Sequence, residues 1–459
     1  MFVIIILIFF IFVITFYLGY WRAKNIVQGN IKNLKSLPHY HGWYVGLICF
    51  LASLIFFFIW WTSQTHINEF ILHWFLPHDL RSLESESFKL ALNQIYNVLE
   101  NKLTSPDTTT SSILEAANHL KIIQNTTSFV FYICFTIIVL SAFILSFGKI
   151  KPNFSAGKKA ERIILFIFFI SSTLAITTTV GIILSLLFEA LRFFQRVPLN
   201  EFIFGLHWSP QIALRADQTA SSGSFGMIPL LTGSILITVI AMIIAVPVGL
   251  MSAIYLSEYA PRSIRTIVKP VLEILAGIPT IVYGFFAALT VAPFLKDIGD
   301  TLNISVASES ALAAGLVMGI MIIPFISSLS DDIINAVPQS LRDGSYALGA
   351  TQSETIRHVI LSAALPGIIS AILLGVSRAI GETMIVVMAA GLSANLTFNP
   401  FNSVTTMTVQ IANLLVGDQE FDNPKTLAAF ALGLILFIMT FILNIIALYI
   451  VKKYREKYE

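Results

Sequence analysis

The chain has 459 residues, of which 56% are hydrophobic and only 12% charged, with a formal net charge of +2. Soluble domains carry about 25% charged residues, so this composition excludes soluble, disordered and fibrous classes and points to an all-α, polytopic membrane protein. The balance of 28 Lys plus Arg against 26 Asp plus Glu gives no reason to expect nucleic acid, and two cysteines inside apolar runs, Cys49 and Cys134, build neither a disulfide framework nor a thiolate metal cluster.

Nine apolar runs reach the ~20 residues that span a bilayer core as a helix: roughly 2–20, 43–61, 129–147, 163–188, 228–256, 268–293, 311–329, 366–390 and 427–451. The first has no basic n-region and no small-residue cleavage site, and reads as a retained helix rather than a signal peptide. The 228–256 run exceeds the minimum, which implies tilt or a kink at Pro247. Lys and Arg cluster in 21–42, 148–162, 257–267 and the C-terminal tail. All four become cytoplasmic if the N-terminus is outside. Segment 62–128 then faces outward, with Trp60, Trp61 and Trp74 near that interface. Within it, 82–103 has the apolar spacing of an amphipathic helix (Leu83, Phe88, Leu92, Ile95, Tyr96, Leu99, Leu103), and 104–112 reads as a loop. The chain thus divides into residues 1–160, with three spans, and 161–459, with six.

The chain has no G-x-x-x-x-G-K-[ST] loop for a nucleotide and no H-E-x-x-H. All eight histidines fall outside the apolar runs, which weighs against an intramembrane metalloprotease or haem subunit. His73 and His78 beside Asp79 are candidate metal ligands, although polar interfacial loop residues are the simpler reading. Arg378 and Glu382 are charges inside a span, where each costs ~2.5–3.5 kcal/mol on insertion scales. Their i, i+4 spacing places them on one helical face, as an ion pair locking helices or as the lining of a polar pathway in which the Arg fork suits an oxyanion. Glu273 is expected to snorkel or to pair with Lys269 or Arg265. Segment 330–365 is long for a mere connection. Pro338 opens a helical stretch to about Leu348, Gly349 makes a turn, and a second helix starts near Ser353, which together form a docking shape at the membrane surface.

This segment resembles the coupling loop of the binding-protein-dependent ABC permeases. The pattern E-A-A-x3-G, followed by I-x-L-P, falls on Asp343-Gly344-Ser345, Gly349 and Val359-Ile360-Leu361-Ser362. Asp replaces Glu, both Ala are replaced, and Ser362 stands for Pro, with Leu365-Pro366 just beyond. Three further stretches, Gly223 to Gly233, Ala276 to Phe286 and Arg378 to Met384, are similar to the permeases of bacterial high-affinity phosphate importers. The likeness covers roughly 161–459. Met384 and Ala292-Pro293-Phe294-Leu295 favour the PstC over the PstA branch.

The resemblance implies a six-helix ABC importer permease core paired with a PstA-like permease and two copies of a cytoplasmic ATPase, supplied by a periplasmic phosphate-binding protein. ATP and Mg would be held by the ATPase, with no cofactor and no catalysis in this chain. Arg378 and Glu382 would line the phosphate pathway. Asp343, Gly344, Ser345, Gly349 and Leu361 would form the ATPase coupling loop. A permease for sulfate or molybdate remains an alternative, as does a membrane sensor built on 62–128. That sensor lacks a cytoplasmic output domain. Residues 1–160 would either brace the assembly or display 62–128 to the binding protein or a regulator.

Overall fold

The computed structural model describes residues 2–28, 30–76, 85–99, 111–210, 223–416 and 423–454. Among the described residues the fold is all-α apart from one antiparallel pair of two-residue strands. Nine helical rods among the described residues are long and apolar enough to cross a membrane. The chain forms two compact units, Met1–Ile176 and Thr177–Glu459.

The first unit contains α1 (Phe2–Ile26), α2 (Pro38–Phe75), α3 (Ser85–Leu99), α4 (Ser111–Gly148) and the start of α5 (Ala156–Phe194). α1 lies along α2 with little separation: a Cβ on Gly42 would stand 2.8 Å from the Phe16 carbonyl oxygen. Absence of a side chain there allows the backbones to approach, as small residues do between membrane helices. Phe56 stacks on Phe131, 5.6 Å between centroids, and ties α2 to α4. At 38 residues each, α2 and α4 run about 57 Å at 1.5 Å per residue, well beyond a ~30 Å hydrocarbon core. Their overhang packs with α3 around Leu72, Ile95, Ala116 and Leu120. The amphipathic helix expected over 82–103 is therefore present as Ser85–Leu99, with Ile95 buried and Leu92, Tyr96 and Leu99 packed beside it. α4 begins at Ser111, inside the stretch expected to be a loop. Residues 104–110 and the His78–Asp79 pair lie outside the described residues.

The second unit continues α5 into α6 (Leu199–Phe204) and the antiparallel hairpin β1 (Trp208–Ser209) and β2 (Ser224–Phe225). It then contains α7 (Ile228–Ile254), α8 (Arg262–Ala276), α9 (Thr280–Phe286), α10 (Ala292–Thr301), α11 (Ala311–Asn335), α12 (Gln339–Ala347), α13 (Gln352–Thr355), α14 (Leu361–Ile380), α15 (Met384–Ala389), α16 (Met407–Leu414) and α17 (Pro424–Tyr454). π-helical turns extend α7 through Tyr259, join α9 to α10, and join α13 to α14, so each of these reads as one rod. α11 is the central element. Its Val317, Met318, Ile322 and Ile326 pack on Ile237, Ala241 and Ala245 of α7.

Two expected spans are corrected. The 268–293 run is broken at Gly277–Pro279, because proline disfavours the helical region for the residue before it. α8 becomes a separate helix, and the membrane rod is Thr280–Thr301. The 366–390 run is displaced: the rod is Gln352–Ile380, with Pro366 inside it, and the helix stops at Gly381. Pro247 lies within α7, which continues through it.

Candidate functional site: a braced surface helix and a membrane arginine

α12 stands at the end of α11. Pro338 precedes its first turn, and Gly349 closes it at φ +84°, in the left-handed region that glycine enters without steric cost. The next helix is capped by Thr351, two residues before the expected Ser353. The Thr351 hydroxyl accepts from the Glu354 N–H, and the Glu354 carboxylate accepts from the Thr351 N–H at 2.8 Å.

Arg342 turns inward from α12. Its guanidinium meets Glu258, in the π turn ending α7, at 2.9 Å. It also donates to the Ile334 carbonyl at 2.9 Å and to the Val337 carbonyl. Gln352 donates to the Glu258 carbonyl at 2.8 Å, and Ser345 and Thr355 share a hydrogen bond of 2.9 Å. Beneath lies an apolar base of Ala253, Ile334, Val337, Ile356, Ile360 and Ala364, with Leu341 and Leu361 at its edge. α12 is thus bound to three separate rods. Its outer surface presents Asp343, Gly344, Tyr346 and Ala347, ending at Leu348, which is 92% exposed.

The expected coupling residues therefore separate. Asp343, Gly344 and Gly349 lie on the exposed side. Ser345 is turned to Thr355, and Leu361 packs in the base. Arg342, Glu258 and Leu348 were not anticipated. The signal for Leu348 was available as an apolar residue immediately before the glycine that ends a short polar helix. The role of Arg342 was not, because nothing local indicates that it faces Glu258.

Beside this element, α8 is held to α11. Arg265 and Lys269 each reach the buried Asp331 at 3.0 Å, and Lys269 also reaches Asp332 at 3.2 Å. Hydrogen bonding to Asp331 holds the Lys269 ammonium above its ordinary pKa. This corrects the expected pairing of Lys269 or Arg265 with Glu273.

Arg378 and Glu382 form no ion pair among the described residues, and the one-face geometry is corrected too. α14 ends at Ile380, so Glu382 lies beyond the helix, and i, i+4 proximity lapses. The Glu382 carboxylate instead accepts from the N–H groups of Met384 (3.0 Å) and Ile385 (3.3 Å), capping α15. Thr408 donates to the Glu382 carbonyl at 2.8 Å. Arg378 sits in the last turn of α14, exposed on the chain surface. Its guanidinium lies 3.8 Å from the Met321 sulfur and 5.4 Å from the centre of the Phe325 ring. The structure thus leaves a cation with soft, neutral neighbours near the end of a rod long enough to cross a membrane.

Two family models match the chain: a phosphate ATP-binding cassette transporter family over residues 4–178, and the binding-protein-dependent transport system inner membrane component over 245–456. A probable ABC transporter permease of Bacillus subtilis is 36% identical over 250 residues, covering 54% of this chain and 77% of that protein. The phosphate transport system permease PstC of Mesorhizobium japonicum is 35% identical, covering 50% and 74%. A probable PstC of Methanocaldococcus jannaschii is 31% identical, covering 59% and 86%.

Proposed function

Because the chain belongs to the PstC family of binding-protein-dependent ABC transporter permeases, we propose that it is the membrane subunit through which an ATP-driven importer passes inorganic phosphate into the cell. The observation that carries this reading is the position of Arg378. Arg378 lies in the last turn of its rod and is exposed on the isolated chain; a guanidinium turned to hydrocarbon is costly unless it reaches polar surroundings, so it needs a protein or aqueous neighbour. A second permease of the PstA type, closing against this surface, would place Arg378 beside a pathway. There the guanidinium fork would meet phosphate oxygens through paired charge-assisted hydrogen bonds. Glu382, already committed to the α15 backbone, leaves that cation unneutralised and acts by holding the break after α14.

Two copies of a cytoplasmic ATPase supply the work in this reading, with ATP and Mg bound there, while a periplasmic binding protein delivers phosphate. The chain itself performs no chemistry. α12 offers Asp343, Tyr346 and Leu348 to a groove on the ATPase. Movement of α12 would reach α7, α11 and α14 together, because Arg342 and the apolar base join it to all three. The pathway would then alternate between outward and inward openings.

The test is ATP-dependent uptake of radiolabelled phosphate into vesicles holding the whole complex. Arg378→Gln is expected to abolish uptake with assembly intact, and excess sulfate or molybdate to leave wild-type uptake unchanged. Normal uptake by a fully assembled Arg378→Gln complex would refute the pathway role. Competition by sulfate would reassign the substrate.

A further inference from the structure

The first unit contains a groove lined by none of the candidate-site residues described above. It has a volume of about 780 Å³ and lies between the segment entering α2 and the first turns of α5. Its mouth carries Lys35, Lys158 and Glu161, and its walls include Tyr40, Trp43 and Phe168. The walls are stapled together. The Gly157 N–H donates to the Ser36 hydroxyl at 3.2 Å, and the Lys35 N–H donates to the Pro152 carbonyl at 3.0 Å. The groove is therefore preformed. Among the described residues no ion pair engages Lys35, Lys158 or Glu161, whereas other cations of the same end are settled on rings, Arg22 over Phe147 at 4.2 Å and Lys159 over Phe154 at 4.5 Å.

We propose that this groove is a binding site for one anionic glycerophospholipid of the inner leaflet. The inference rests on the placement of this basic end at the cytoplasmic face. Lining chemistry selects the ligand. An apolar wall with Trp43 and Phe168 suits acyl chain, and a free inorganic phosphate would leave it uncovered. Two lysines at the mouth suit a phosphodiester, and with Glu161 they give the groove one net positive charge, which a singly anionic headgroup neutralises and a zwitterionic one does not. Basic pockets between membrane helices on the cytoplasmic side recognise anionic headgroups in this way. Aromatic side chains such as Tyr40 and Trp43 favour that depth. Glu161 is free to accept a hydroxyl from a glycerol headgroup.

The experiment is native mass spectrometry of the delipidated full chain in non-ionic detergent, titrated with phosphatidylglycerol, phosphatidylethanolamine or phosphatidylcholine. We expect one saturable phosphatidylglycerol with a midpoint at least tenfold below those of the two zwitterionic lipids, unmoved by millimolar inorganic phosphate. Lys35→Gln with Lys158→Gln should raise that midpoint tenfold or more, and Lys158→Arg should leave it near wild type. Equal midpoints for the three lipids, displacement by inorganic phosphate, or unaltered binding by the double variant would each overturn the proposal. Binding is read without transport, so a negative result leaves the permease reading untouched.

Discussion

The Arg342–Glu258 pair makes a distinction that a list of contacts would miss. Both side chains are close to nine-tenths covered, and the guanidinium also serves two main-chain carbonyls. Removing one member of such a pair strands the other, at about 3–5 kcal/mol, whereas removing both together is far less costly. Arg342→Met alone is therefore expected to lower the melting temperature of the complex and abolish phosphate uptake. Adding Glu258→Gln should recover most of the thermal stability without recovering uptake, because the direct link from α12 to α7 is gone while the apolar base remains. Thermal unfolding and uptake measured on the same preparations check this. If uptake returned with stability, the pair would be structural only. Residue-level reading of the sequence could not reach this pair. Position 342 stands in a polar surface helix, and its partner is brought to it only when α7 is prolonged by a π turn.

Among the elements, hydropathy found a run overlapping each of the nine rods but missed their ends and displaced two of them, for two different reasons. An apolar window does not register a break that costs no hydrophobicity. Gly277-Ile278-Pro279 brings no charge into the run, yet proline there separates an amphipathic helix tied to Asp331 from the rod Thr280–Thr301. Nor does such a window register helix beyond the membrane. Residues 352–365 are too polar to count, yet they continue into α14 without interruption. The helix–turn–helix at 338–355 was legible because its signals are local: proline before the first turn, glycine at the end, and a capping residue shortly after. Its projecting tip supports a further prediction. Leu348→Asp changes an almost fully exposed side chain and should leave folding unchanged, but it should reduce co-purification of the ATPase at least tenfold. Gly349→Asp must hold a non-glycine residue at φ +84°, a strain of about 1–2 kcal/mol. It should disturb the same tip by re-aiming it, uncoupling ATPase stimulation from the binding protein. Equal ATPase recovery from wild-type and Leu348→Asp preparations would place the docking face elsewhere.

For the whole molecule, orientation binds the surface features to their proposed partners. The four basic segments share one side of the membrane when nine rods are threaded from an outside N-terminus, and the α3 region falls on the other side. The corrected rod boundaries agree with this threading, because α8 is not among the helices long and apolar enough to cross and nine such rods are found among the described residues. In the proposed orientation α12 would face the proposed ATPase, and the overhang of α2 and α4 would lie on the side proposed for the binding protein. Impermeant maleimide labelling tests it directly. Native cysteines interfere little, since Cys49 is buried and Cys134 is half-buried within α4. On a background of Cys49→Ser and Cys134→Ser, Asn97→Cys should label in intact spheroplasts. Ser353→Cys should label only after the membrane is opened, both positions being exposed on the chain. The reverse pattern would invert the molecule. It would place the coupling face away from ATP and the lipid groove in the outer leaflet, so both the transport reading and the lipid site depend on which cysteine labels first.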